Sequence, residues 1–193
     1  MQRELRFDPC FLEEDGMEGQ IILLHGPSSV GKTTLAHVLQ DRLDQPFWHI
    51  SIDHLRDHRI VPMHRYQSGD FNWQQDRQVI FTAFHASLAA YASSGVNIIV
   101  EHIIDTAGWI EELVKLFRDI DVYFVGMHCK LDTLTRRETI RGDRPIGSAK
   151  QDFARVHEGR KYDLEIDGTD DPITSADAII KGLRSGLRSS EFY

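Results

Sequence analysis

The stretch "HGPSSVGKTT", His25 to Thr34, follows the apolar run "IILL" at 21–24 and precedes the amphipathic "KTTLAHVLQDRL". From Gly26 to Thr33 it matches G-x-x-x-x-G-K-[ST] at every fixed position. Glycine admits backbone angles that turn successive N–H groups inward. Those groups, with the positive end of the following helix, make a cradle for phosphate oxygens. Lys32 is spaced to reach the β- and γ-phosphates of a nucleotide, and Thr33 to offer its hydroxyl to Mg²⁺. The expected nucleotide contacts are Gly26, Pro27, Ser28, Ser29, Val30, Gly31, Lys32, Thr33 and Thr34. His25 and Thr34, at the ends of the motif, also suit purely structural roles.

The loop names a donor site but not a destination, because switches, motors and small-molecule kinases all use it. The rest of the chain narrows the choice. Short apolar strands are expected at 20–25, 47–53, 96–101, 121–129 and 162–167. Helical periodicity separates them at 32–43, 74–93, 105–117 and 131–141, and Asp171-Pro172 supplies the cap and first-turn proline of a last helix. Ser148 with Gln151 has a capping-box pattern, so a helix is expected from there. Residues 61–73 read as an irregular connection. Strands alternating with helices predict an α/β fold with a mostly parallel sheet covered on both faces. The apolar first, third and fourth strands suit its middle, and the second and fifth its edges.

Composition agrees. The 193 residues are 41% hydrophobic and 27% charged, within the range of a globular chain, with a formal net charge of −8. That acidity argues against a general nucleic-acid binder. No apolar run approaches the roughly 20 residues that span a bilayer, and the N-terminus lacks the apolar core of a signal peptide. The expected location is cytoplasmic, with residues 1–19 as a leader. Cys10 and Cys129 make no disulfide or zinc framework. A small-molecule acceptor is the expected partner, with neither nucleic acid nor membrane, and self-association is left open.

A short nucleotide-binding chain without a guanine-reading N-K-x-D sequence points to a compact kinase. Its acceptor machinery belongs at the C-terminal ends of the other strands. Asp53 stands after the second strand, where a carboxylate can orient a hydroxyl and take its proton. It also precedes "HLRDHR" and suits a helix N-cap. Glu101 ends the third strand and suits the Mg²⁺ shell, an ion pair or a substrate hydrogen bond. His102 beside it suits the acceptor pocket and a packing role alike. Arg136, Arg137, Arg141 and Arg144 cluster in "TRRETIRGDRPIG". Guanidinium groups there can stabilise charge on a phosphoryl group in flight, and the Gly/Pro segment suits a lid around 141–150 that excludes water.

Together "GPSSVGKTT", "HISIDHLRD", "GVNIIVEHII", "RRETIRGDRPIG" and "VHEGRKYDLEID" resemble the chloramphenicol phosphotransferase-like proteins, from about residue 20 to 168. The resemblance implies a P-loop kinase fold with strand order 2-3-1-4-5, in a single domain over 20–193. It implies transfer of the γ-phosphoryl of ATP, with Mg²⁺, to a small-molecule hydroxyl, as in chloramphenicol 3-O-phosphorylation. On its motifs Asp53 is the catalytic aspartate, with Lys32 and Arg144 as the other catalytic residues. Thr33 and Glu101 are on the metal side, and Arg137 and Arg141 belong to the nucleotide and lid region. Similarity to the spacing of shikimate kinases points to Arg137 on adenine and Arg144 on the γ-phosphate. Relatives usually carry Asp where this chain has Glu101-His102. The stretch 54–73, expected to line the acceptor pocket, has its own composition. A nucleoside or nucleotide kinase, for which Arg56, Arg59 and Arg65 speak, and a non-catalytic ATP-binding module are the alternatives.

Overall fold

A computed structural model describes residues 18–141 and 147–193. Five strands, β1 (Ile21–His25), β2 (Trp48–Ser51), β3 (Ile98–His102), β4 (Val122–His128) and β5 (Leu164–Asp167), form one sheet in the order β2-β3-β1-β4-β5. Every pairing is parallel. The three central strands are almost wholly buried and the edge strands half-buried, as their apolar and alternating sequences require.

The period of two divides the core. Ile22 and Leu24 of β1 face α1 (Lys32–Arg42) and α8 (Pro172–Ser185), joining Leu35, Leu39, Ile179 and Leu183. Ile21 and Leu23 face the other way, onto α4 (Trp73–Ser93) and α5 (Trp109–Leu116), joining Phe84, Leu88, Trp109 and Leu113. Burying each such side chain is worth about 1.5–3 kcal/mol. Gly182 lets α8 approach β4, because a Cβ there would stand 1.8 Å from the Tyr123 hydroxyl.

Register then decides where chemistry can gather. Leu24 pairs with Glu101 and Val125, His25 with His102 and Gly126, and Ser51 with Glu101. The carboxyl ends of β1, β2 and β3 are thus level, and the segments leaving them share one edge of the sheet.

Four local expectations change. Residues 63–67 of the irregular connection form a short helix, α3 (Met63–Gln67). The second strand stops at Ser51, whose side chain accepts from the Asp53 N–H and starts α2 (Ile52–Asp57). Asp53 is therefore in the first turn of α2 and is not its cap. The helix expected from 105 begins at Trp109, because Gly108 at φ 87° takes the left-handed N-cap position. Ser148 opens α7 (Ser148–Phe153), and Gly147 at φ 98° takes the N-cap position that the capping-box pattern gives to Ser148. The remaining helix, α6 (Leu131–Arg141), lies where expected. Among the described residues no helix is long and apolar enough to cross a membrane.

Candidate active site

Gly26 to Gly31 connect β1 to α1 and Lys32 opens that helix. Gly26 passes close to β4, where an added Cβ would stand 2.5 Å from the Met127 carbonyl oxygen. Gly31 is the N-cap of α1 at φ 113°, with no side chain capping the helix. The first-turn N–H groups of α1 thus point into the loop rather than at a capping residue. Lys32 is buried and donates from Nζ to the Gly26 and Pro27 carbonyls at 2.8 and 2.9 Å.

Thr33 Oγ1 donates to Glu101 Oε2 at 2.9 Å, and His49 Nε2 stands 2.5 Å from Glu101 Oε1. Burial pushes the Glu101 carboxyl up. The hydrogen bond from His49, the Lys32 ammonium and the Thr33 hydroxyl outweigh this and hold it below the usual carboxylate range. Glu101 therefore stays ionised beside the loop.

A cavity of about 1100 Å³ opens over this edge of the sheet. Ser28 to Thr34, with Arg137 and Gly168, line one end. Asp53, Arg56, Tyr66, Trp73, Arg77 and His102 are among the residues at the other. Glu101 reaches it from below. Gly26 and Pro27 enter the site through the carbonyls that hold Lys32. The motif, Asp53, Glu101 and Arg137, picked from sequence, thus meet around one space.

Arg137 has a definite task. Its guanidinium donates to the Val30 carbonyl at 2.9 Å and the Gly168 carbonyl at 3.0 Å. It ties the phosphate-binding loop to the turn between β5 and α8. Arg141 is the last residue of α6, and its side chain and all of Arg144 lie outside the described residues, as do the leader up to 17 and positions 142–146 of the expected lid.

Asp53 faces the cavity and accepts from Arg56 Nη1 at 3.1 Å. Of the three arginines that favoured a nucleotide acceptor, only Arg56 reaches the cavity. Arg65 points away and pairs with Asp70 at 3.2 Å. The stretch 54–73 supplies Arg56, Met63, Tyr66, Gln67 and Trp73 to the wall. Three further residues have no motif to announce them. Arg77 and Phe81 come from α4, and Asp152 of α7 accepts from the Ser28 N–H at 3.0 Å. Phe81 stands at helical spacing from Phe84, His85 and Leu88 on the buried face of α4, and that spacing was the available signal for it. Nothing local marks Arg77 or Asp152.

A family model described as chloramphenicol phosphotransferase-like protein matches residues 19–184. The chain belongs to that family. It is 32% identical to proteins named as candidate O-phosphotransferases in two strains of Mycobacterium tuberculosis, over 81% of this chain and 78% of theirs. In fold it is similar to APS kinase of M. tuberculosis in complex with AMPPNP and APS, with a TM-score of 0.64 at 18% identity, covering 86% of this chain and 98% of that one. A gluconokinase of Sinorhizobium meliloti gives 0.62 at 16% identity, over 88% and 93%. The tunicamycin resistance protein of Deinococcus radiodurans gives 0.61 at 20%, over 88% and 97%. The chain is a P-loop kinase, an enzyme that transfers a phosphoryl group to a hydroxyl.

Proposed function

We propose that this kinase transfers the γ-phosphoryl group of ATP to a small-molecule hydroxyl held between Asp53 and the aromatic wall of the cavity. The observation that carries the reading is that Asp53 and the Lys32 loop open onto the same space from the level carboxyl ends of β2 and β1, the two strands that flank β3. Arg56 orients the Asp53 carboxylate. Asp53 accepts the proton as the hydroxyl oxygen attacks the γ-phosphorus, and ADP leaves. Lys32 exchanges the Gly26 and Pro27 carbonyls for the β- and γ-phosphates, and the N–H groups at the start of α1 hold the β-phosphate.

Thr33 and Glu101 offer an oxygen pair 2.9 Å apart, of the kind hard cations take. They would hold Mg²⁺, which when bound neutralises charge on the phosphates. His49 keeps the Glu101 carboxylate aimed at that position. Arg137 serves the nucleotide side, where its fork already spans the loop and Gly168. Arg141 and Arg144, from a lid around 141–150, complete the set, with Arg144 on the γ-phosphoryl.

Tyr66, Trp73 and Phe81 favour an acceptor with an apolar face. The test is ADP release with purified protein, ATP, Mg²⁺ and a panel containing chloramphenicol, sugar-like alcohols and nucleosides. Acceptor-dependent release with chloramphenicol or another small alcohol supports the reading, and Asp53→Asn should then cost at least about 100-fold while ATP still binds. ATP binding without transfer to any acceptor would overturn it.

A further inference from the structure

His102 ends β3 at the wall of the cavity, yet it is 2% exposed. Its Nε2 stands 2.7 Å from Nε2 of His85, which is 0% exposed on α4. His85 Nδ1 in turn lies 3.3 Å from Glu112 Oε1 on α5. The rings of Phe81, Phe84 and Trp109 surround His102 at centroid distances of 5.8, 5.9 and 5.5 Å. They pack around the imidazole on several sides.

Two Nε2 atoms at this distance share one proton, so one donates and the other accepts. Glu112 decides which. The contact is too poorly aligned to count as a hydrogen bond, but a carboxylate only accepts and its charge at 3.3 Å favours the proton on His85 Nδ1, which leaves a lone pair at Nε2. His102 then donates from Nε2 and keeps a lone pair at Nδ1. Burial, which works against charge on both rings, agrees with this pattern. Among the described residues His102 Nδ1 has no hydrogen-bond partner.

We propose that Glu112 and His85 fix His102 Nδ1 as a hydrogen-bond acceptor at the cavity wall, which selects substrates carrying a second O–H or N–H donor beside the reacting hydroxyl. His102 is the residue that touches substrate, and His85 and Glu112 are positioning residues. The selectivity rests on the kinase reading above, whereas the proton pattern does not. The substrate class that follows is a polyol or an amino alcohol, because a lone hydroxyl engaged by Asp53 leaves Nδ1 unsatisfied.

Two measurements separate the parts. Nitrogen-15 shifts of the free, full-length protein at neutral pH report which His102 nitrogen carries hydrogen. The expected result is a lone-pair Nδ1 and a protonated Nε2, and the reverse would overturn the proposal. In steady-state assays 1-phenyl-1,3-propanediol and 3-phenyl-1-propanol differ by one hydroxyl. The diol should have a kcat/KM about 10–100-fold higher, the scale of one buried hydrogen bond. His102→Phe should raise KM for the diol by a similar factor, leave KM for ATP within about 2-fold and erase the preference. His102→Asn, whose Oδ1 takes the place of Nδ1, should restore the diol KM to within about 3-fold, whereas His102→Gln should not. Equal use of both alcohols, or His102→Gln rescuing as well as His102→Asn, defeats the selectivity. If the wild type phosphorylates no alcohol in the panel, the kinase reading fails and the nitrogen shifts alone decide the proton pattern.

Discussion

The Ser28 N–H donates to the Asp152 carboxylate at 3.0 Å, so an acid from α7 sits on the backbone of the phosphate-binding loop. An anion there stabilises inward-turned N–H groups, as a phosphate oxygen would. It also repels an incoming triphosphate across a cleft where screening is incomplete.

Asp152→Asn should therefore tighten ATP binding, by about 3- to 10-fold for a contact worth on the order of 1 kcal/mol at this half-buried position. Titration calorimetry of both proteins at one ionic strength measures it. Unchanged binding would show that the carboxylate does not oppose the nucleotide, and weaker binding that it assists it.

Arg137 makes a prediction of the opposite sign. Its fork reaches the Val30 and Gly168 carbonyls at once, and a lysine ammonium on a flexible stem cannot bridge both. Arg137→Lys should weaken ATP about 10-fold despite keeping the charge, while KM for the acceptor stays within about 2-fold. Full retention of affinity by the lysine variant would reduce Arg137 to a point charge.

These two residues also show where sequence reading succeeds. Arg137 was legible because it falls in a dense arginine run, and "GPSSVGKT" because its chemistry is local and needs no distant partner. Asp53 and Glu101 were legible from position, since ligands gather at the carboxyl ends of parallel strands. Asp152 was not, because its partner is 124 positions away and only the folded chain brings them together. His102 was legible from its place beside Glu101, but its pairing with His85 was not, because the two belong to different elements that only the folded chain brings together. Helix α3 escaped because five residues are too few to display a period. Gly108 moved one helix start from 105 to Trp109, and Gly147 took the N-cap position of a helix that begins at Ser148 as expected, because a glycine enters the left-handed region without strain.

Glu101 links the loop to the expected metal. Both of its oxygens are engaged, one by Thr33 and one by His49. Glu101→Gln keeps the shape but removes the charge that a hard cation prefers. The Mg²⁺ concentration for half-maximal activity should rise by about 10-fold, the lower end expected for disturbing a metal site. His49→Ala should move it in the same direction by less, because the ligand is left in place but unsteered. A Mg²⁺ requirement unchanged in both variants would take Glu101 out of the metal site.

His25 sets the acid limit of the fold. Its Nε2 meets the Val156 carbonyl at 2.8 Å and its Nδ1 accepts from the Ile104 N–H at 3.3 Å, so one buried imidazole joins β1 to the chain on either side. Burial is the main reason its pKa falls to about 3, helped by His157, Lys32 and Arg160 and opposed by the Val156 hydrogen bond. His157, stacked on His128, is lowered to about 4, again chiefly by burial. In each case the unfolded chain binds the proton more readily than the folded one. The native state therefore keeps its full stability above about pH 6.5 and loses it progressively as pH falls from there towards the folded values. By pH 4 the His25 contribution alone should reach on the order of 3 kcal/mol. Thermal melts between pH 7.5 and 4.5 should show Tm dropping most steeply below 6.5. His25→Gln keeps a donor and an acceptor but does not titrate, so it should flatten that drop while starting from a lower Tm at pH 7.5. Parallel curves for the two proteins would mean that some other group governs the acid transition.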